Sequence, residues 1–368
     1  MLGVALKLLK ELTSKSYKAY IVGGFVRDYI LGVESNDIDI TTNATPKEIK
    51  EIFNDSCLPN EDYGSVIVNM KGVKFEITTF RKEIEYENNR KPIEIKYIDD
   101  LYPDLLRRDF VINTICMDEN GEILDLLGGQ EDINNKIIRC VGDSYTKFSE
   151  DSLRILRAIR FATILDFELD EDVVEAIKKT KKNVKDLSYQ RKKSELDKIF
   201  SSPNRDKGIK LLLSFGLEKE LELPNLESVL DSPANSSISI WSLLNASNYP
   251  FSKNEQELIS DINKVLEHNN LDPVILYKYG LYVNSCAGEI KGINIKKITE
   301  IYNKLVIKSR NDIDIDSDDI MKLLDREPGK YLTEIYNDIE KEILYRRLEN
   351  KKNSICNYIE KKYKEEGK

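Results

Sequence analysis

The sequence predicts an α+β protein, with a mixed sheet flanked by helices in residues 1–145 and almost nothing but helix after them. Two observations carry this reading. Up to about residue 145, short β-prone runs alternate with helical stretches and with turn signals at Gly121, Gly128-Gly129 and Gly142-Asp143. From Glu150 onward glycine becomes sparse, and Leu, Lys, Glu and Ile recur at helical spacing. At 368 residues the chain is long enough for two or three domains. Texture divides it into residues 1–145, 146–210 and 211–368, with helix breaks expected at Ser201-Ser202-Pro203-Asn204, Asp231 to Ser237, Asn269 to Pro273 and Lys308 to Asp318. No internal repeat is evident.

The first element, MLGVALKLLKELTSKSY, reads as an amphipathic helix without a cleavage site, and no 18-residue apolar run exists. Next, YIVGGFVRDYILGVESNDIDI gives a strand, a Gly23-Gly24 turn, a helix start at Val26-Arg27-Asp28, and then Asp37 and Asp39 in a β-prone run. Glycines without a Cβ let backbone N–H groups approach a phosphate where a helix N-terminus carries partial positive charge. Arg27, in the first turn, offers a second, charge-assisted contact. Asp37 and Asp39, at i and i+2, leave one face of an extended strand and can share hard divalent cations. Two such cations ~4 Å apart activate a hydroxyl and steady a leaving pyrophosphate. Alone, the glycines read as a plain turn and the Asp-x-Asp pair as a solvated one. Their conjunction resembles the nucleotidyltransferases related to DNA polymerase β.

Farther on, VKFEITTF is an alternating strand that places Lys74, Glu76 and Thr78 on one face. Residues 80–98 are charged, carry one proline and read as a mobile loop. Arg107-Arg108-Asp109 precedes the apolar FVINTI, either as a charged boundary to a buried element or as part of a site. Then comes EDSLRILRAIRF. In their order and spacing GGFVRD, DID, RRDFVINTI and EDSLRILRAIRF resemble the tRNA nucleotidyltransferase and poly(A) polymerase family of the bacterial and eukaryotic type. The likeness spans about the first 200 residues. It implies a polymerase β-like head followed by an all-α neck, body and tail, and addition of the 3′-terminal CCA to tRNA without a nucleic-acid template. It also implies a nucleotide contact for Arg108, a ribose-side role for Asp109, and a third catalytic carboxylate at Glu76. The family's flexible loop, with an Arg before a Pro that helps switch specificity from C to A, fits Arg90 and Pro92.

The residues support such chemistry independently. Cytosine and adenine present an amino donor beside an unprotonated ring nitrogen, whereas uracil and guanine present a carbonyl beside a ring N–H. A carboxylate and a guanidinium held side by side therefore match C and A and clash with U and G. Asp151 and Arg154, at i and i+3 on a helix, can form that pair or merely an exposed salt bridge. The resemblance gives them the template role. Arg157 and Arg160 continue the series, but steps of three drift about 60° backward around a helix. Four such residues cannot touch one base, which leaves these two to triphosphate, ribose or nearby acidic groups.

Five scattered cysteines without a CxxC pair argue against zinc and disulfides and fit a reducing cytoplasm. The single histidine, His268, excludes His-based metal clusters and reads as a surface residue near a helix end. Net charge is −9, so RNA binding must rest on local patches such as Lys178 to Lys185 and Arg191-Lys192-Lys193. LSYQRKKSELDKIF resembles the family's neck, except that Gln190 stands where the family has Glu. The terminal YRRLENKKNSICNYIEKKYKEE either grips the tRNA elbow or forms a solvated helix. The expectation is thus a Mg²⁺-dependent enzyme that uses CTP and ATP on tRNA, held at acceptor stem and elbow. Alternatives are a poly(A) polymerase or A-only enzyme, and a catalytically silent RNA-binding protein on the same scaffold. No signal specifies an oligomeric state.

Overall fold

The structure, a computed structural model, describes residues 1–54, 57–60, 64–83, 86–87, 91–92 and 95–364. The chain forms two compact units, Met1–Glu222 and Leu223–Lys368. The first opens with helix Leu2–Ser14, whose Ala5, Leu8, Leu9 and Leu12 form one buried stripe. Among the described residues a seven-stranded mixed sheet follows, in the order Ile123–Leu124, Cys116–Met117, Ala19–Val22, Asp39–Thr42, Val73–Thr79, Ser65–Met70 and Cys57–Asn60. Asp39–Thr42 and Val73–Thr79 run parallel, and their register sets Asp39 against Glu76. The expected alternation holds: Phe75, Ile77 and Thr79 are buried while Lys74 and Glu76 are exposed.

The stretch expected as an irregular loop contains paired strands. Arg81–Glu83 lies antiparallel to Ile95–Tyr97, and Tyr86–Glu87 to Lys91–Pro92. Composition hid this because a backbone ladder forms without apolar side chains on either strand. At its base Phe80 is fully buried and stacks on Tyr20, with ring centroids 6.4 Å apart. Arg90 lies outside the described residues.

The helical part of this unit comprises Ser144–Glu150, Leu153–Ile164, Glu171–Thr180, Tyr189–Phe200 and Arg205–Ser214. Asp143 starts the first by accepting the Thr146 N–H at 2.7 Å. Gly208 is where three of these helices close up. A Cβ there would meet Thr163 Oγ1 and, at 2.6 Å, Ile199 Cγ2. Gly208→Ala is therefore expected to cost about 1–3 kcal/mol through overpacking, read as a lower urea midpoint with unchanged slope.

The basic run departs from expectation. Lys192 is 1% exposed and donates to the Lys185 and Glu220 carbonyls, both at 3.1 Å. Lys193 is also buried and pairs with Asp197 at 2.9 Å. On helix Tyr189–Phe200 two backbone carbonyls take up the Lys192 ammonium and a carboxylate takes up that of Lys193, so neither is an RNA contact. Lys178, Lys179, Lys182 and Lys185 are exposed.

The second unit contains helices Ser237–Leu244, Lys253–Leu266, Pro273–Ile290, Ile295–Asn303, Ser317–Leu324, Tyr331–Leu344 and Lys352–Ile359. Gly280 kinks the third, with φ 73° and ψ 173°, and buried Asn284 donates across the kink to the Gly280 carbonyl at 2.8 Å. His268 is exposed just beyond Leu266. The terminal segment is no solvated helix: Ile355 and Ile359 are fully buried. Asp338 accepts from Tyr358 Oη, Lys362 Nζ and Tyr363 Oη at 2.7, 2.6 and 3.0 Å. No helix among the described residues is long and apolar enough to cross a membrane.

Candidate active site

The first unit carries a cleft of about 680 Å³. Its floor is the strand-turn-helix around the glycines. Gly23 has φ +84°, a conformation that side chains rarely adopt, and it leads strand Ala19–Val22 into helix Gly24–Ile30. A Cβ on Gly24 would lie 3.6 Å from Arg27 Nη2, within the cleft lining. Arg27 is buried, with Nη2 2.7 Å from Asp28 Oδ1 and Nη1 donating to Asn113 Oδ1 at 2.8 Å.

Asp37 and Asp39 both line the cleft, Asp37 just before the strand and Asp39 as its first residue. Glu76 stands beside Asp39 in register on the neighbouring strand. Asp39 keeps accessible surface toward the cleft, yet lost solvation and then the negative charges of Asp37 and Glu76 push its carboxyl above the ordinary range, with Arg108 pulling it down. Among the described residues neither Asp37 nor Asp39 has an ion-pair partner. No group of three His, Cys, Asp or Glu side chains among them could by itself hold a metal ion. The acidic site is thus an open carboxylate pair without an ion-pair partner among the described residues, a donor set of hard oxygens that fits a divalent cation completed by substrate oxygens.

Arg108 and Asp109 enter from the chain after helix Leu101–Leu106. Arg108 Nη2 lies 3.2 Å from Asp104 Oδ2, and Arg107 Nη2 lies 2.8 Å from Asp104 Oδ1. Asp109 is bound rather than free: it accepts from Arg157 Nε at 2.7 Å, from the Phe110 N–H at 2.8 Å and from Asn113 Nδ2 at 3.3 Å. A continuous polar chain therefore runs Asp28, Arg27, Asn113, Asp109, Arg157, joining the glycine helix to helix Leu153–Ile164. Burial alone would raise the Asp109 carboxyl, but the Arg157 guanidinium and these hydrogen bonds hold it below the usual range. A folded value below the unfolded one gives stability that is complete above the ordinary carboxylate range near pH ~4 and is lost as pH falls through the folded value. Urea unfolding at pH 7, 5 and 3 should show that loss only at the lowest pH, and Asp109→Asn should flatten it.

Asp151 and Arg154 both face the cleft, but not as neighbours on one helix. Asp151 is extended, with φ −147°, in the break between helices Ser144–Glu150 and Leu153–Ile164. Its Oδ1 accepts the Leu153 N–H at 3.0 Å, and its Oδ2 lies 2.7 Å from Arg191 Nη2. Arg154 instead pairs with Glu150, its i−4 neighbour, at 2.8 Å, and donates to the Lys147 carbonyl at 3.0 Å. A carboxylate just before a helix start caps the first N–H groups more readily than it reaches along the axis, and the Arg154 N–H itself donates to the Asp151 carbonyl at 3.0 Å. Arg191 thus has an acidic partner although Gln190 departs from the family pattern.

Arg157 and Arg160 line the same wall, Arg157 on Asp109 and Arg160 on buried Glu195. With Arg27 they surround Phe161, at 5.3, 5.5 and 3.9 Å from Arg27, Arg157 and Arg160 Cζ to the ring centroid. Sequence reasoning missed Phe161, Asn113 and Arg81 in the lining and Asp104 behind it, and gave Arg107 no role of its own. Four of the five stood inside or beside the quoted motifs. Arg81 had no signal beyond its place at the start of a polar stretch.

Known proteins resemble the chain along its length. Residues 19–139 match the poly A polymerase head domain, 166–230 the "Probable RNA and SrmB-binding site of polymerase A", and 241–359 tRNA nucleotidyltransferase domain 2. The chain is 34% identical to the CCA-adding enzyme of Bacillus pumilus (strain SAFR-032), over 96% of each chain. It is 32% identical to that of Ligilactobacillus salivarius (strain UCC118), over 97% of this chain and 96% of the relative. The crystal structure of the Bacillus stearothermophilus CCA-adding enzyme in complex with CTP superposes with a TM-score of 0.88 at 25% identity, covering 99% of this chain and 98% of that one. The four-motif resemblance thus extends along the whole chain, which belongs to the CCA-adding tRNA nucleotidyltransferases of the bacterial and eukaryotic type, in the poly(A) polymerase head family.

Proposed function

We propose that this chain builds the 3′-terminal C, C and A of tRNA from CTP and ATP in a Mg²⁺-dependent nucleotidyl transfer, the tRNA 3′ hydroxyl attacking the α-phosphate and pyrophosphate leaving. The observation that carries this reading is one cleft lined by Gly23, Gly24, the Asp37 and Asp39 pair, and Asp151 with Arg154. Asp37 and Asp39 would hold the divalent cation, with Glu76 as the adjacent third carboxylate. When bound, the cation supplies positive charge for the attacking hydroxyl and the leaving pyrophosphate.

The chain's own residues do the rest. The Gly24 N–H approaches the triphosphate, the Gly23 N–H being donated to the Ile115 carbonyl at 3.3 Å, and Arg27, fixed by Asp28 and Asn113, adds charge beside it. Arg108 contacts the nucleotide, while Asp109 acts on the ribose side through a geometry that Arg157 fixes. Arg160, pinned by Glu195, completes the wall. Asp151, oriented by Arg191, accepts the amino group of C or A, and Arg154, oriented by Glu150, donates to the ring nitrogen. Each side chain is thus oriented by its own ionic partner. Arg90 would belong to the loop that switches specificity from C to A.

In this reading residues 1–145 are the catalytic head, 146–210 select the base, and 211–368 grip tRNA toward the elbow. Exposed Lys178, Lys179, Lys182 and Lys185 suit the phosphate backbone of the acceptor stem. The cytoplasm suits cysteines without disulfide spacing. The test is incorporation of labelled ATP into a tRNA transcript ending in CC, with Mg²⁺, with EDTA, and over a salt series. Loss with EDTA, recovery with Mg²⁺ and a steep decline with salt are expected; unchanged incorporation in EDTA would refute the metal assignment.

A further inference from the structure

We propose that Asp104 is a positioning residue that sets the triphosphate subsite by holding three cleft-lining arginine positions at once; the inference rests on the nucleotide reading above. Asp104 sits on helix Leu101–Leu106 and is completely buried. Arg107 donates through Nε at 2.8 Å to its Oδ1, with Nη2 also 2.8 Å away. Arg108 donates through Nη2 to its Oδ2 at 3.2 Å. The third donor is the backbone N–H of Arg81, at 3.2 Å, from the first residue of strand Arg81–Glu83. Arg81, Arg107 and Arg108 all line the cleft that contains Asp37 and Asp39.

A carboxylate taken wholly out of water is costly unless several donors satisfy it. Here the donors come from two separate segments, so the buried charge clamps one to the other. The result is a concentration of guanidinium groups on a wall facing the acidic pair, where a polyanion and not a cation fits. Arg108 Nε is buried with no acceptor among the described residues, which leaves the Nη2 bond to Asp104 to orient its guanidinium. Two oxygens divided between two arginines also fix where each guanidinium stands, which a single free arginine would not achieve.

The test compares the affinities for CTP and CMP, with Mg²⁺, of the full chain and of Asp104→Asn. Asp132→Asn serves as control, since Asp132 is likewise buried and pairs with Arg139 at 3.0 Å but lies outside the cleft lining. Asp104→Asn is expected to shrink the advantage of CTP over CMP at least ten-fold while CMP affinity moves less than three-fold, and the control is expected to keep the wild-type ratio. Asp104→Ser, which keeps a hydroxyl acceptor, carries the same expectation should the Asn variant not fold. An unchanged ratio in a folded Asp104 variant overturns the proposal, as does failure of both variants to fold, which would make Asp104 a residue of stability alone. A wild type with no preference for CTP over CMP removes the triphosphate site itself, and the proposal with it.

Discussion

Asp39→Asn should lower incorporation of both CMP and AMP by roughly 10³-fold, about 4 kcal/mol of transition-state stabilisation, the scale seen when one preorganised charge contact is removed. The fold should not suffer. In the folded chain lost solvation and the charges of Asp37 and Glu76 raise the Asp39 carboxyl above its ordinary value. A folded value above the unfolded one means that ionised Asp39 works against folding at neutral pH. Neutralising it should therefore leave the melting temperature unchanged or raise it slightly in metal-free buffer. Added Mg²⁺ should raise the melting temperature of the wild type and not of the variant, since a ligand stabilises only the state that binds it. A variant that kept its rate, or that lost rate only because it unfolded, would contradict the assignment of Asp39.

The second large effect concerns base choice. Asp151→Ala should reduce CMP and AMP incorporation by about 10²-fold or more while UMP incorporation falls far less, because a site built around specific hydrogen bonds discriminates by the penalty of leaving them unmade. Arg154→Ala should act in the same direction. The two should differ in a second readout. Removing Asp151 strips the 2.7 Å partner from Arg191, whose Nη1 is already buried without an acceptor among the described residues, and uncaps the Leu153 N–H, so Asp151→Ala should lose more stability than Arg154→Ala. Single-nucleotide assays with each NTP, run beside urea unfolding, separate the two. Equal losses for C, A, U and G would mean that the pair supports the fold and does not read the base.

The parts of this site legible in the sequence were those fixed by local rules. Gly23 and Gly24 followed from their place before a helix and Asp37 with Asp39 from spacing, while alternation put Glu76 on an exposed strand face, where it stands beside Asp39 in register but outside the cleft lining. Arg154 and Asp151 were found as residues but not as an arrangement, because helix spacing pairs Arg154 with Glu150 and capping draws Asp151 to Leu153. Lys192 and Lys193 show the opposite error. A basic run reads as surface, yet Lys192 donates to carbonyls that only the packed chain brings together, and Lys193 turns to Asp197 one turn along its own helix. Asp104 and Phe161 drew no role for a related reason, since each joins near neighbours to one group distant in sequence, Arg81 for Asp104 and Arg27 for Phe161. The strands within 80–98 were masked by charge, which says where side chains point but not whether the backbone pairs.

The most direct measurement supplies the chain and Mg²⁺ with three tRNA transcripts, ending before CCA, after C and after CC, giving each labelled NTP separately and CTP with ATP together. The account predicts that all three are completed to one defined CCA end and that UTP and GTP are rejected. Growth only from the CC end would indicate an A-adding enzyme, and long A tails a poly(A) polymerase. No incorporation from any of the three would contradict catalysis by this cleft.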